Sequence, residues 1–269
     1  MTGMKTVTSP DGTAIAFDQV GTGAPLILVS GASCDRQVDG RHAEALAGQF
    51  TVLNYDRRGR GDSADTAPYE VEREIEDLAV LAEYARTVGS GPATVLGLSS
   101  GAVLAARAAA RLPFAALILW EPPFDPDPAG QQDTRRYAAE LGDLLAAGDR
   151  EGAFVLFLGR VGVPQTAIVG MRRAPHWAKA VAIAPTLGYD AAVMADGRVP
   201  TRILATVTAP TLVLAGAASP PSLQGGARAA ASAIPGAQFR LLDGQTHDVA
   251  PDILAGATAG FVSQAALAR

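Results

Sequence analysis

Gly97-Leu98-Ser99-Ser100-Gly101 sets a serine between two glycines, with the apolar run Val95-Leu96 before it and the small-residue run Ala102-Val103-Leu104-Ala105-Ala106 after it. That pattern predicts a strand, a sharp turn carrying Ser99, and a helix. Gly97 and Gly101 lack the Cβ atoms that would clash in such a turn. The hydroxyl would stand exposed above the sheet, at a helix N-terminus whose dipole and open N–H groups favour a developing oxyanion. The chemistry this suits is nucleophilic attack by serine. A serine hydroxyl is weak without a neighbouring base, and the base needs an orienting acid.

Of the three histidines, His247 fits the base. It lies in Asp243-Gly244-Gln245-Thr246-His247-Asp248, between an expected strand and the closing helix, and a serine-before-histidine order is what an elbow of this kind requires. The competing reading is a histidine on a surface loop. His42, beside Arg41 and Glu44, reads as a solvated helix face, and His176, beside Trp177, as structural. Cys34 is the single cysteine, so no intramolecular disulfide is possible and a reducing, cytoplasmic setting is expected. No paired histidine or basic neighbour marks Cys34 as a nucleophile. The histidines and the cysteine leave no zinc spacing, and neither metal nor cofactor is expected.

The elements that must position these residues alternate. Strands are expected over 13–19, 25–30, 51–55, 93–98, 116–120, 210–215 and 237–242, with helices over 71–88, 224–234 and 253–267. The alternation predicts an α/β fold with a mostly parallel sheet and helices on both faces. From 124 to 204 only helical signals occur: an apolar stripe of Tyr137, Leu141, Leu144 and Leu145, then Asp149 capping a helix with Ala153, Leu156 and Phe157, then short helices near 165–173, 175–183 and 190–194. An insertion of that kind reads as a helical cap over the C-terminal ends of the strands. The division expected is a core of 1–122 and 206–269 with a cap of 123–205.

Composition narrows the classes. A chain of 269 residues that is 48% apolar and 18% charged can bury a substantial core. Its net charge of -5 argues against a nucleic-acid surface, and Arg57, Arg58 and Arg60, bracketed by Asp56 and Asp62, read as a structured turn. Residues 1–11 contain no apolar signal region, and no apolar run approaches membrane-spanning length. A small-molecule substrate is the partner expected.

Taken together, Ser30-Gly31-Ala32, Asp56-Arg57-Arg58-Gly59-Arg60-Gly61-Asp62-Ser63, the Ser99 elbow and Gly244-Gln245-Thr246-His247 resemble the α/β-hydrolase superfamily over nearly the whole chain. The resemblance implies an eight-stranded sheet, a Ser99–His247 pair, and an oxyanion hole from the backbone N–H groups of Ala32 and Ser100. Two positions depart from the family pattern. Ser30 stands where a histidine is usual. Ser219 stands where most members carry the acid, after the strand Thr211-Leu212-Val213-Leu214-Ala215, and a serine cannot supply the charge. A branch of the superfamily places the acid one strand earlier, which in this chain is Glu121.

Elementary physics makes the same choice. Glu121 interrupts an apolar strand end, Leu117-Ile118-Leu119-Trp120, and Pro122-Pro123 after it offer no N–H, so a carboxylate there needs a partner. Asp125, Asp127, Asp243 and Asp248 are its rivals for His247.

The leading expectation is a serine hydrolase cleaving a carboxylic ester or lactone through an acyl-enzyme. Cys34, Phe124, Phe157 and Trp177 are expected to line the substrate site, and Phe154, Met171 and Met194 add apolar surface to the insertion. A lyase, cyclase or perhydrolase on the same residues is the alternative, and a binding protein on this scaffold a third, favoured only by the missing acid at Ser219. Fold analogy does not separate the first two.

Overall fold

The computed structural model describes residues 3–267. Eight strands form one sheet: β1 (Lys5–Thr8), β2 (Ala14–Val20), β3 (Ala24–Val29), β4 (Phe50–Tyr55), β5 (Thr94–Leu98), β6 (Ala116–Trp120), β7 (Thr211–Gly216) and β8 (Gln238–Leu242). Their spatial order is β1-β2-β4-β3-β5-β6-β7-β8. β2 pairs antiparallel with β1 and β4, and the remaining pairs are parallel. The expected α/β architecture is therefore present. Seven of the eight strands are the expected ones; β1 is the addition, since Lys5-Thr6-Val7-Thr8 holds one apolar residue and no buried position.

Continuous apolar strands pack on both faces. In β3, Ile27 and Val29 join one core while Leu26 and Leu28 join the other. Helices α1 (Gly40–Leu46) and α11 (Pro251–Leu267) cover the second core; α2 (Val71–Val88), α3 (Ser100–Ala109) and α10 (Pro221–Ala233) cover the first. The chain leaves β3 toward β4 on one side and returns to β5 on the other. That reversal opens a crevice at the C-terminal ends of β3 and β5, where open α/β sheets bind ligands.

Between β6 and β7 come α4 (Pro128–Ala146), α5 (Arg150–Arg160), α6 (Gln165–Met171), α7 (Trp177–Ala182), a single 3₁₀ turn, α8 (Leu187–Met194) and α9 (Thr201–Leu204). Asp149 caps α5 by accepting the Gly152 N–H at 2.7 Å, as its position predicts. These helices share a core of Leu141, Phe154, Leu158, Trp177 and Leu187 that reaches Ala32 on the loop after β3. Met194 instead packs against the main core. No helix among the described residues is long and apolar enough to cross a membrane.

Candidate active site

Ser99, between β5 and α3, has φ 54° and ψ -123°, a conformation foreign to most L-residues and costly by roughly 1–3 kcal/mol. Close packing holds it there. A Cβ on Gly97 would sit 2.5 Å from Ala102 Cα, and one on Gly101 2.5 Å from the Ser30 carbonyl oxygen. The Ser99 N–H donates to the Trp120 carbonyl at 2.9 Å, tying the turn to the end of β6.

β6 continues into Glu121, which is wholly buried and has φ 43°. Its Oε2 lies 2.6 Å from His247 Nδ1, and its Oε1 accepts the Gly216 N–H at 2.7 Å. Burial would push this carboxyl up. The His247 bond, the neighbouring Ser219 hydroxyl and the Gly216 N–H outweigh it and hold the group below the ordinary carboxylate range. Ser219 acts there by proximity, since its hydroxyl makes no hydrogen bond of good geometry.

The four rival aspartates are engaged elsewhere or exposed. Asp125 binds the Thr134 hydroxyl, Asp127 caps α4 through the Gly130 N–H at 2.9 Å, and Asp243 and Asp248 are exposed. Nδ1 must carry the proton to serve Glu121, which leaves Nε2 as the accepting nitrogen. The His247 loop has a second anchor that sequence reasoning missed. Trp120 Nε1–H donates to the His247 carbonyl at 3.0 Å, so the last residue of β6 and Glu121 after it hold both the backbone and the ring of His247. Ser99 and His247 are not joined directly by a hydrogen bond, and the imidazole is 43% exposed.

Gly31 lies against the elbow, where a Cβ would meet Ser99 Cβ at 3.2 Å. The Ala32 and Ser100 N–H groups beside it have no hydrogen-bond partner among the described residues. Behind them runs a buried ionic network. Arg57 binds Glu74 through two bonds of 2.7 Å and Asp190 through a third, while Arg60 binds Asp190 at 2.7 Å and the Gly31 carbonyl at 2.7 Å. The Ser100 hydroxyl donates to Asp190 at 2.8 Å. Burial would raise the Asp190 carboxyl, but the Arg60 and Arg57 charges and the Ser100 bond hold it below the ordinary range. The arginine turn is thus structured, as expected, and its partner comes from α8, 130 residues away.

The expected substrate-lining residues separate. Cys34 is half-buried, its thiol bonded to the Ala32 carbonyl at 3.4 Å and pushed up to about 12 by burial and then by Asp39. Phe157 and Trp177 flank Phe154 in the inserted core, with Trp177 9% exposed. Phe124 corrects its expectation: at 2% exposure it belongs to the main core, with its backbone against Gly226 of α10, and presents no face to a substrate. His42 is also not the solvated residue expected. α1 packs on α11, so the segment entering α11 covers it, and its Nε2 lies 3.2 Å from the Val249 carbonyl. His176 is exposed. Among the described residues, no group of three or more His, Cys, Asp or Glu side chains is placed to hold a metal ion.

Comparison with known proteins agrees with this architecture. A model of the alpha/beta hydrolase family matches residues 26–257. An α/β hydrolase from Sphaerobacter thermophilus is 45% identical over 96% of this chain and 99% of its own, with a TM-score of 0.85. A thermophilic esterase from Thermogutta terrifontis is 25% identical over 98% of this chain and 99% of its own, with a TM-score of 0.68. An N-formylmaleamic acid deformylase from Pseudomonas putida shares the fold at 24% identity, covering 96% of this chain and 100% of its own, with a TM-score of 0.65. With a family model spanning most of its length and a solved relative at 45% identity, the chain belongs to the α/β-hydrolase family.

Proposed function

We propose that this protein is a cofactor-independent serine hydrolase that cleaves a carboxylic ester or lactone through an acyl-enzyme, with Ser99, His247 and Glu121 as its triad. The observation that carries this reading is the 2.6 Å contact between the buried Glu121 carboxylate and His247, beside a serine held at a strained elbow. Neutral His247 takes the Ser99 proton at Nε2 as Oγ bonds to the acyl carbon. Glu121 keeps the imidazole in the required tautomer and stabilises the imidazolium. The oxyanion forms against the Ala32 and Ser100 N–H groups. The same proton then passes to the leaving alkoxide, and water repeats the sequence to release the acid. A serine–histidine bond that is open at rest is compatible with this scheme, since such bonds tighten around substrate.

Helices 123–205 act as a cap whose apolar core favours a small to medium, mainly apolar acyl group. The esterase likeness supports the ester assignment. A panel of p-nitrophenyl esters of graded acyl length and simple lactones tests the reading on wild type and Ser99→Ala together. Turnover of at least one ester that disappears in Ser99→Ala is the expected result. Inertness of wild type toward the whole panel contradicts it.

A further inference from the structure

We propose that Asp190, with Arg60, is a positioning residue for the oxyanion hole, so that the inserted segment sets the aim of both backbone donors. This rests on the triad reading above. One peptide unit joins the Gly31 carbonyl to the Ala32 N–H. A trans peptide is planar, with its C=O and N–H pointing in opposite directions, so fixing the oxygen fixes the direction of the hydrogen. Arg60 fixes that oxygen at 2.7 Å, and it does so with a charged donor, which polarises the peptide and strengthens the Ala32 N–H.

Ser100, the second donor residue, is held by its side chain. Its hydroxyl donates to Asp190 Oδ1 at 2.8 Å, and the other oxygen of the same carboxylate takes Arg60 Nη2 at 2.7 Å. One carboxylate therefore connects the supports of both N–H groups. Asp190 is 5% exposed, Arg57 and Arg60 are each 1% exposed, and Glu74 on α2 completes a neutral quartet. The rigid guanidinium forks leave little freedom in such a cluster.

Burial and charge pairing alone would make this a stabilising cluster and nothing more. The molecule carries its own comparison. Arg58 and Asp77 form an equally buried pair with bonds of 2.8 and 2.7 Å, yet Arg58 reaches Asp11 and the Arg73 carbonyl rather than the site. A cluster that only stabilises would behave like that pair.

The test compares Asp190→Asn, Ser100→Ala and Asp77→Asn with wild type. It reads kcat and KM on the p-nitrophenyl ester turned over fastest, the second-order rate of Ser99 labelling by a fluorophosphonate, and Tm. Asp190→Asn and Ser100→Ala should lower kcat by about 10- to 100-fold, somewhat less than outright loss of an oxyanion donor, while KM stays within about threefold. Labelling should slow in proportion. Asp77→Asn should lose Tm but keep kcat and labelling within about twofold. Wild-type kcat and labelling in both site variants would overturn the proposal, as would an Asp77→Asn as slow as Asp190→Asn. If Asp190→Asn does not fold, Ser100→Ala decides alone, since it removes one hydroxyl and no charge. Wild type that fails to label at Ser99 overturns the triad reading and the positioning role with it; labelling of wild type and variants at one rate overturns the positioning role only.

Discussion

Glu121, just beyond the end of β6, accepts the backbone N–H of Gly216, the last residue of β7, at 2.7 Å. This bond joins the two strand ends from which a carboxylate could serve His247. It also brings Glu121 beside Ser219, where most family members carry the acid. The Ser219 side chain lies within reach of the Glu121 carboxylate. In the proposed triad, a carboxylate at either position would supply one charge at one place.

Exchange of that charge is testable. Glu121→Gln should lower kcat by roughly 10²–10⁴, because the amide keeps the shape and cannot stabilise an imidazolium. Adding Ser219→Asp to Glu121→Gln should recover part of the loss. In wild type, Ser219→Asp should instead reduce stability, since a second carboxylate would face the buried Glu121. Ser219→Ala should change kcat little. A Glu121→Gln variant with wild-type kcat contradicts the role given to this residue.

Trp120 predicts a milder defect. Trp120→Phe keeps an aromatic ring in the core and removes the bond to the His247 carbonyl. A lost hydrogen bond of about 1–1.5 kcal/mol corresponds to a fall of roughly tenfold in kcat if it is expressed in the transition state. KM should hold. A change confined to KM would show that Trp120 does not orient the His247 loop.

His42 gives a pH signature in stability. Burial lowers its pKa, but the Asp39 carboxylate 3.5 Å away and the Val249 carbonyl outweigh burial and raise it above the ordinary value. A group whose folded value is raised adds stability that is complete below its unfolded pKa, about 6.5, and is lost as pH rises through the folded value. Urea unfolding should therefore show wild type exceeding His42→Gln by more at pH 5.5 than at pH 8.5. An equal difference at both values contradicts the Asp39 pairing.

Phe157 and Trp177 test the cap. Trimming either to Ala should shift the ratio of kcat/KM between short and long acyl esters by roughly 1–3 kcal/mol if they bound the acyl pocket. A uniform loss across all chain lengths would assign them to the packing they share with Phe154.

How much of this could be read from the chain follows from the range of each interaction. The Ser99 elbow, the α2 stripe and the Asp149 cap are local patterns, and each left a periodicity or a spacing in the sequence. Glu121 was visible because a carboxylate at the end of an apolar strand is anomalous by itself. Asp190 left no such mark, since its partners Arg57 and Arg60 are 133 and 130 residues away and its own neighbourhood, Gly188-Tyr189-Asp190-Ala191, looks like an ordinary helix start. Phe124 and His42 were misplaced for a related reason. Their surroundings come from α10 and from the segment before α11, far along the chain. β1 was hidden because four residues, none of them buried and one of them apolar, carry too little pattern to register.

In the proposed mechanism Ser99 is a nucleophile activated by His247. Peptide mapping after treatment with a fluorophosphonate, on wild type, Ser99→Ala and His247→Ala in parallel, measures this activation at the serine itself. One adduct per chain is expected on the peptide containing Ser99, none in Ser99→Ala, and labelling of His247→Ala slowed by orders of magnitude. An adduct that persists in Ser99→Ala, or that forms at the wild-type rate without His247, would contradict it.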